Sequence, residues 1–342
     1  MEFIANSKLL NLVLAVIMSI SVLLNNLFSP SVKPFVPPED IIVPVTVEMM
    51  NITQNNTSGY QIVRGAECSA SELNAVNTLQ SYITQICGVT LKIVTDATAP
   101  QAKEIIVGKT NREGTDYTVD RTVLGDEGLM IKTIGQKLVI AGGEKRGTLY
   151  GVYTFLEEVL GCHWFTSTLI EVPHSDDLKI PIDINITQKP VFEYRETDWI
   201  SPRDHVYSIA NKLNGNNYRQ LNEAEGGTVG YTGGFCHTFT TSILPSSQYF
   251  TTHPEYYAWR EDTNTRSPNQ LCLTNPDTLQ MVIQQVRDIL AATPDAQIIS
   301  LTQHDNGDYC QCPACKAIDE YEGSQSGTMI HFVNAVADAV KD

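Results

Sequence analysis

The run Gln303–Glu320, QHDNGDYCQCPACKAIDE, sets Asp305, Asp308, Asp319 and Glu320 beside His304 and three cysteines at 310, 312 and 315. Carboxyl groups within reach of one substrate do general acid–base work. Thiols spaced C-x-C-x-x-C hold a tetrahedral metal if a fourth ligand joins them; Cys272, Cys236 or His237 could supply it. The same thiols pair as disulfides in an oxidising compartment, drawing on Cys272 or Cys236, and free thiols are the third alternative. In each case the cysteines brace a loop. No cofactor is expected beyond a structural zinc. Asp308 follows Asp305 by three residues, while Asp319–Glu320 is an adjacent acidic pair. PACKAIDEYEG also reads as a short helix from Pro313, with Ala314, Ala317, Ile318 and Tyr321 packed and Asp319, Glu320 and Glu322 in water.

The elements around this run would have to position it. AQIISLT (296–302) reads as a buried strand feeding straight into the polar residues, an arrangement packing alone does not explain. Asn275, Pro276 and Asp277 make an N-cap, a first helical residue and an acidic first turn. The helix they open carries Leu279, Val282, Ile283, Val286 and Ile289 on one face, and TMIHFVNAVADAV is a further amphipathic helix. Upstream, VFEYRETDW (191–199) reads as a strand, and GGTVGYTGGFCHTF approaches another. Strand–helix alternation predicts parallel β/α units, whose chemistry sits on loops beyond the C-terminal strand ends. Arg195, Asp198 and Trp199 would follow the first strand, His237 the third, and His304, Asp305 and Asn306 the fourth. Trp199, Tyr256, Tyr257 and Trp259 could stack on flat ligand faces; His237 and His253 could hydrogen-bond hydroxyls or serve the structure.

A complete eight-unit barrel takes about 250 residues, and residues 191–342 hold four units. The fold class expected is therefore α/β, a small N-terminal α/β sandwich (43–187) followed by the first half of a (β/α)8 TIM-type barrel (191–342). In the sandwich, 59–65 is a strand, 71–88 a helix with Leu73, Val76, Leu79, Ile83 and Ile86 on one stripe, and 128–143 a hairpin turning at Gly135–Gln136. A second helix ends at Gly161. Lys145 and Arg146 near a glycine turn read as a solvated loop.

Hydrophobic residues make up 42% of the chain and charged residues 18%, which suits a globular protein. The net charge of −16 argues against a nucleic-acid backbone as partner, since phosphates require a basic face. Residues 1–28, with Lys8 before LLNLVLAVIMSISVLL, have the pattern of a signal peptide or N-terminal membrane anchor, and 29–42 that of a Pro-rich linker. The chain is expected to be exported, whether periplasmic, extracellular or membrane-anchored, with any membrane contact made through this segment.

RGTLYGVYTFLEEVLGCHWF followed by VFEYRETDW resembles the α/β domain that precedes the barrel in family 20 hexosaminidases and family 67 α-glucuronidases. GGFCHTF, HPEYYAW, QLCLTNPDT, the run from SLTQHDNGDYCQC onward and FVNAVADAV resemble glycoside hydrolase family 163, uncharacterised-domain family 4838. Family 163 members are endo-β-N-acetylglucosaminidases acting on N-glycans. Family 20 carries a sugar-binding Arg, matched here by Arg195, and a Pro-Gly-His element matched only by Gly234 and His237. Its Gly-Gly-Asp-Glu ending, in which the Asp orients the substrate acetamido group and the Glu is the acid/base, corresponds to Gln303–Asn306. Asp305 matches the Asp, but Asn306 replaces the Glu, and an amide donates no proton to a leaving alcohol. Asp308, Asp319, Glu320 or Glu322 would then supply the acid.

The resemblance implies a retaining, substrate-assisted glycosidase acting at N-acetylglucosamine, with a glycan or polysaccharide as partner. Asp305, Asp308, Asp319 and Glu320 are its catalytic candidates. Arg195, Trp199, His237, Asn306 and Trp259 are its substrate-binding candidates. A second reading is an α-glucuronidase-like hydrolase of plant polysaccharide. A third is an inactive or carbohydrate-binding fragment, the barrel being incomplete and the chain truncated.

Overall fold

The computed structural model describes residues 47–341 apart from 115 and 216–219, all within one unit, Val47–Asp342. The proposed signal or anchor (1–28) and linker (29–42) lie outside the described residues.

The N-terminal part is built on a six-stranded sheet. Its strands are β1 (Gln61–Arg64), β2 (Lys92–Thr95), β3 (Glu104–Val107), β4 (Leu129–Ile134), β5 (Lys137–Gly142) and β6 (Asn185–Gln188), in the spatial order β6-β4-β5-β3-β1-β2. The β2, β1, β3 and β5 strands run parallel; at one edge β4 pairs antiparallel with β5, and β6 pairs antiparallel with β4. The β4–β5 hairpin turns where expected, with Gly135 at φ +57°, a left-handed conformation that glycine adopts without a Cβ clash. Alternation sends Ile62, Ile105, Ile131 and Ile140 into one core, and Val63, Ile106, Val139 and Ala141 to the opposite face.

Two helices cover the first face: α1 (Ala70–Cys87) and α2 (Gly147–Thr154). Ser69 and Glu72 form a reciprocal capping box at the start of α1, and Gly88 (φ +72°) ends it. Val76, Leu79, Ile83 and Ile86 are buried as expected; Leu73 is 41% exposed, and Ala75 takes the inward position. Arg146 does not project into water. It is buried at the start of α2, paired with Glu127 and donating to the carbonyls of Gly226 and Gly227.

The C-terminal part contains helices α3 (His205–Ala210), α4 (Pro276–Ala292), α5 (Pro313–Glu322) and α6 (Ser326–Val340). Its strands are β7 (Tyr231–Thr232), paired in parallel with β10 (Ile298–Ile299), and the antiparallel hairpin β8 (Tyr257–Arg260) and β9 (Thr265–Leu271). Phe239, Ile243, Tyr257, Val282, Val286, Phe332 and Val336 form its core. The helix at Asn275 is as the sequence predicts: Asn275 Oδ1 accepts from the backbone N–H groups of Asp277 (2.8 Å) and Thr278 (3.2 Å). Asn275→Ala should cost about 1 kcal/mol, read as a lower denaturant midpoint.

The architecture is mixed α/β, but the described residues do not form the expected half-barrel sheet. Residues 191–199 form no strand. The buried Asn214 takes the neighbour's place, accepting from Arg195 N (2.9 Å) and donating to Glu193 O (2.7 Å). With the backbone N–H groups of Asn214 and Gly215, which donate to Arg195 O (3.2 and 3.1 Å), it pairs this stretch of backbone without a regular ladder. The 296–302 strand shrinks to two residues for a similar reason. The buried Thr238 hydroxyl donates to Ser300 O (2.7 Å) and accepts from Thr302 N (3.0 Å). Among the described residues no helix is long and apolar enough to cross a membrane.

Candidate functional site

The polar run beyond β10 is held by contacts to two neighbouring segments. After β7, Gly233 and Gly234 have φ of +71° and +107°, and His237 follows at +56°. Left-handed backbone is uncommon in a residue with a side chain and persists where the surroundings enforce it. Here His237 Nδ1 donates to Gln303 O (3.2 Å), and its ring stacks on His304 at 5.0 Å and 15°. Its Nε2 lies 3.9 Å from Asp305 Oδ2, on a carboxylate whose side chain is 95% exposed. His237, His304 and Asp305 thus form an open rim.

The second support is Gln270, at the end of β9 and 4% exposed. Its Nε2 donates to His304 O (2.7 Å) and Asn306 Oδ1 (2.9 Å), and its Oε1 accepts from His304 N (3.3 Å). Asn306 Oδ1 also accepts from Asp308 N (3.0 Å). The amide at 306 therefore folds the loop. Asp308 turns to the hairpin, where its Oδ2 accepts from Asn269 Nδ2 (2.6 Å) and Ser267 Oγ (3.2 Å), with Arg260 Nη1 4.0 Å from Oδ1. Sequence reasoning missed Gln270. The available signal was one amide beside the apolar LCL of QLCLTNPDT.

Behind the rim lies a cavity of about 240 Å3. Its walls are the 303–310 loop, Gln270 and Leu271, the inner face of α5 and the first turn of α6, with Phe239 among its lining. Asn306 and Asp319 line it; Asp305, Asp308 and Glu320 are not among its lining residues. The structure separates the Asp319–Glu320 pair. Asp319 faces inward and accepts from the Thr328 hydroxyl and from Thr328 N (3.3 Å), capping the start of α6, whereas Glu320 is exposed. The expected packed face of α5 is corrected as well. Ala314, Ala317 and Tyr321 are exposed, Tyr321 at 86%, and Cys315, Ile318 and Asp319 point inward. Polar and thiol contacts, rather than apolar area, set the rotation of this helix.

Cys272, Cys310, Cys312 and Cys315 converge so that all four Sγ atoms lie within 4.8 Å of one another. Cys236, considered as an alternative partner, is exposed and outside this group. Hydrogen bonds from Cys310 and Cys315 hold the Cys272 thiol below its ordinary range.

The remaining candidates lie elsewhere. Arg195 is engaged by Glu127 Oε2 (2.8 Å), Lys212 O (2.7 Å), Phe192 O (2.6 Å) and Tyr150 Oη (3.4 Å). Burial pushes the Glu127 carboxyl up, but hydrogen bonds from Arg195, Asn214 and Arg146 outweigh it and hold the group below its ordinary value. Trp199 is half-exposed and packs edge-on against Tyr207 (5.6 Å). Trp259 lies under Arg266 (5.7 Å) and donates its backbone N–H to Cys310 Sγ (3.3 Å). Tyr256 and Tyr257 are buried; His253 stacks on Tyr256 (4.7 Å).

Residues 164–342 match the family model described as Domain of unknown function (DUF4838), and residues 50–155 match Glycosyl hydrolase family 67 N-terminus. No curated protein matches the chain. Solved structures resembling it include a family GH115 4-O-methyl-α-glucuronidase with specificity for decorated arabinogalactans (13% identity, 86% of this chain, 41% of that one, TM-score 0.41). Another is a chitobiase of Flavobacterium johnsoniae (12%, 86%, 49%, 0.42). A third is a GH20 exo-β-N-acetylglucosaminidase of Vibrio harveyi in complex with N-acetylglucosamine (15%, 86%, 51%, 0.40). The chain spans about half the length of these structures.

Proposed function

The chain belongs to the family described as Domain of unknown function (DUF4838), and from that premise we propose that it is a glycan hydrolase whose reactive groups sit on the 303–308 loop. The observation that carries this reading is the segment 50–155, which matches a glycosyl hydrolase N-terminus and directly precedes the DUF4838 segment. The finer reading is a retaining, substrate-assisted cleavage at N-acetylglucosamine, of the family 163 type, by an exported protein. Asp305 is the carboxylate that meets the acetamido group, since it projects from the rim beside His237. Asp308 is the second carboxyl of the loop, and its separation from Asp305 would have to leave room for the leaving oxygen. Asp319 is tied to the start of α6 and supports the wall rather than the reaction.

An α-glucuronidase-like activity is the second reading, favoured by the family 67 description. Its substrate carries a carboxylate and requires a free cation. Near the loop, Arg260 is bound to Asp262 and Gly307 O, Arg266 to Tyr257 O, and Lys316 to Glu261. Those engagements favour a neutral sugar.

The test is sugar release by the protein encoded by the full reading frame, from N-glycoprotein glycans and from glucuronic-acid-bearing polysaccharide. Release from the first, reduced about a hundredfold in Asp305→Asn with the fold intact, supports the reading. Release only from the second selects the glucuronidase. Unchanged release in Asp305→Asn removes the role given to that carboxylate.

A further inference from the structure

We propose that Cys272, Cys310, Cys312 and Cys315 form a closed, four-thiolate structural zinc site that clamps the candidate loop to α5. This inference does not depend on the hydrolase reading.

The sulfur positions carry it. All four Sγ atoms lie within 4.8 Å of one another, and those of Cys272 and Cys312 are 3.8 Å apart. Zinc binds thiolates at about 2.3 Å in a tetrahedron, whose edge is then about 3.8 Å. A disulfide brings two sulfurs to about 2.05 Å and gives no reason for four to converge. Four soft ligands select zinc over calcium or magnesium, which take oxygen. Cys272, Cys310 and Cys315 are buried and Cys312 is partly so, which leaves no open coordination position for substrate or water.

The surroundings suit thiolates. The backbone N–H of Trp259 donates to Cys310 Sγ at 3.3 Å. Thr274 Oγ1 lies 3.2 Å from Cys315 Sγ and 3.6 Å from Cys312 Sγ. Such outer donors orient metal ligands and offset their charge. Cys312 is the N-cap of α5 and Cys315 sits in its first turn, at the positive end of the helix dipole.

The clamp would join three pieces of chain: the residue after β9, the end of the 303–310 loop, and α5. Cys310 and Cys315 also line the cavity, so the ion would fix two of its walls. The C-x-C-x-x-C spacing gives three ligands locally, and the fold brings the fourth from 38 residues upstream of Cys310.

The experiment is metal analysis of the purified full-length chain, with peptide mapping of its thiols. About one zinc per chain is expected. Cys272→Ser and Cys312→Ser should each lower it by more than half, and Cys236→Ser should leave it unchanged. If the cluster variants do not fold, X-ray absorption on the wild-type chain decides, with four sulfurs at about 2.3 Å from zinc expected. A chain without zinc, a disulfide involving any of the four cysteines, iron in place of zinc, or a zinc shell of nitrogen and oxygen would each overturn the proposal. So would undiminished zinc in both cluster variants.

Discussion

Replacing Glu127 by alanine will destabilise the folded chain by about 3–5 kcal/mol, read from chemical denaturation. The carboxylate joins Arg146 and Arg195, whose side chains are 3% and 17% exposed, and accepts from Asn214 Nδ2 (2.7 Å). Removing it leaves two guanidinium groups facing each other with little water to screen them. Glu127→Gln keeps the volume and part of the hydrogen bonding while removing the charge, and should cost less. The pH dependence has a defined sign. The folded carboxyl is held below its ordinary value, so its contribution is complete above about pH 4.3, the unfolded glutamate value. It is lost as the pH falls through the folded value. The stability gap between wild type and Glu127→Gln should accordingly be flat at neutral pH and close in acid. A gap that widened in acid would show that the carboxyl is not held ionised by its arginines.

Phe239→Ala should cost a similar 3–5 kcal/mol. Phe239 is 1% exposed, meets the Phe332 ring edge-on at 5.7 Å and 87°, and lines the cavity. The substitution removes apolar burial and opens a void that joins existing empty space, so the surroundings have little means of collapsing onto it. A double-mutant cycle with Phe332→Ala should return a coupling of about 0.5–1.5 kcal/mol for the aromatic pair. A loss under 1 kcal/mol for Phe239→Ala would mean that the ring does not hold this core.

The contrast between these residues and the legible ones is instructive. Where apolar spacing and local caps decide the outcome, the sequence is readable: Ser69 and Glu72 at α1, Asn275 and Pro276 at α4, and Gly135 in the hairpin all act within a few residues of themselves. Where one polar side chain takes up backbone groups, a local strand reading fails. VFEYRETDW reads as a strand, yet Asn214 pairs the backbone of Glu193 and Arg195, and Val191 and Phe192 are 91% and 73% exposed. Thr238 similarly shortens AQIISLT. The 303–320 run was legible as chemistry but not as geometry. Its two acidic pairs separate because Asp308 is drawn to Asn269, 39 residues away, and Asp319 to Thr328. Arg195 matched a sugar-binding position by pattern, while its carboxylate partner, Glu127, lies 68 residues upstream.

The inward residues of α5, Cys315 and Asp319, stand one helical turn apart, the first in the sulfur cluster and the second on the first turn of α6. A helix tethered at two successive points on the same face cannot roll about its axis without breaking both. With zinc bound to the cluster, the cavity beside it would therefore not widen by rotation of that wall. Change at its mouth then falls to its other walls, among them the 303–307 loop held by Gln270. The same loop carries Asp305, so lifting it from Gln270 would move the rim carboxylate as well.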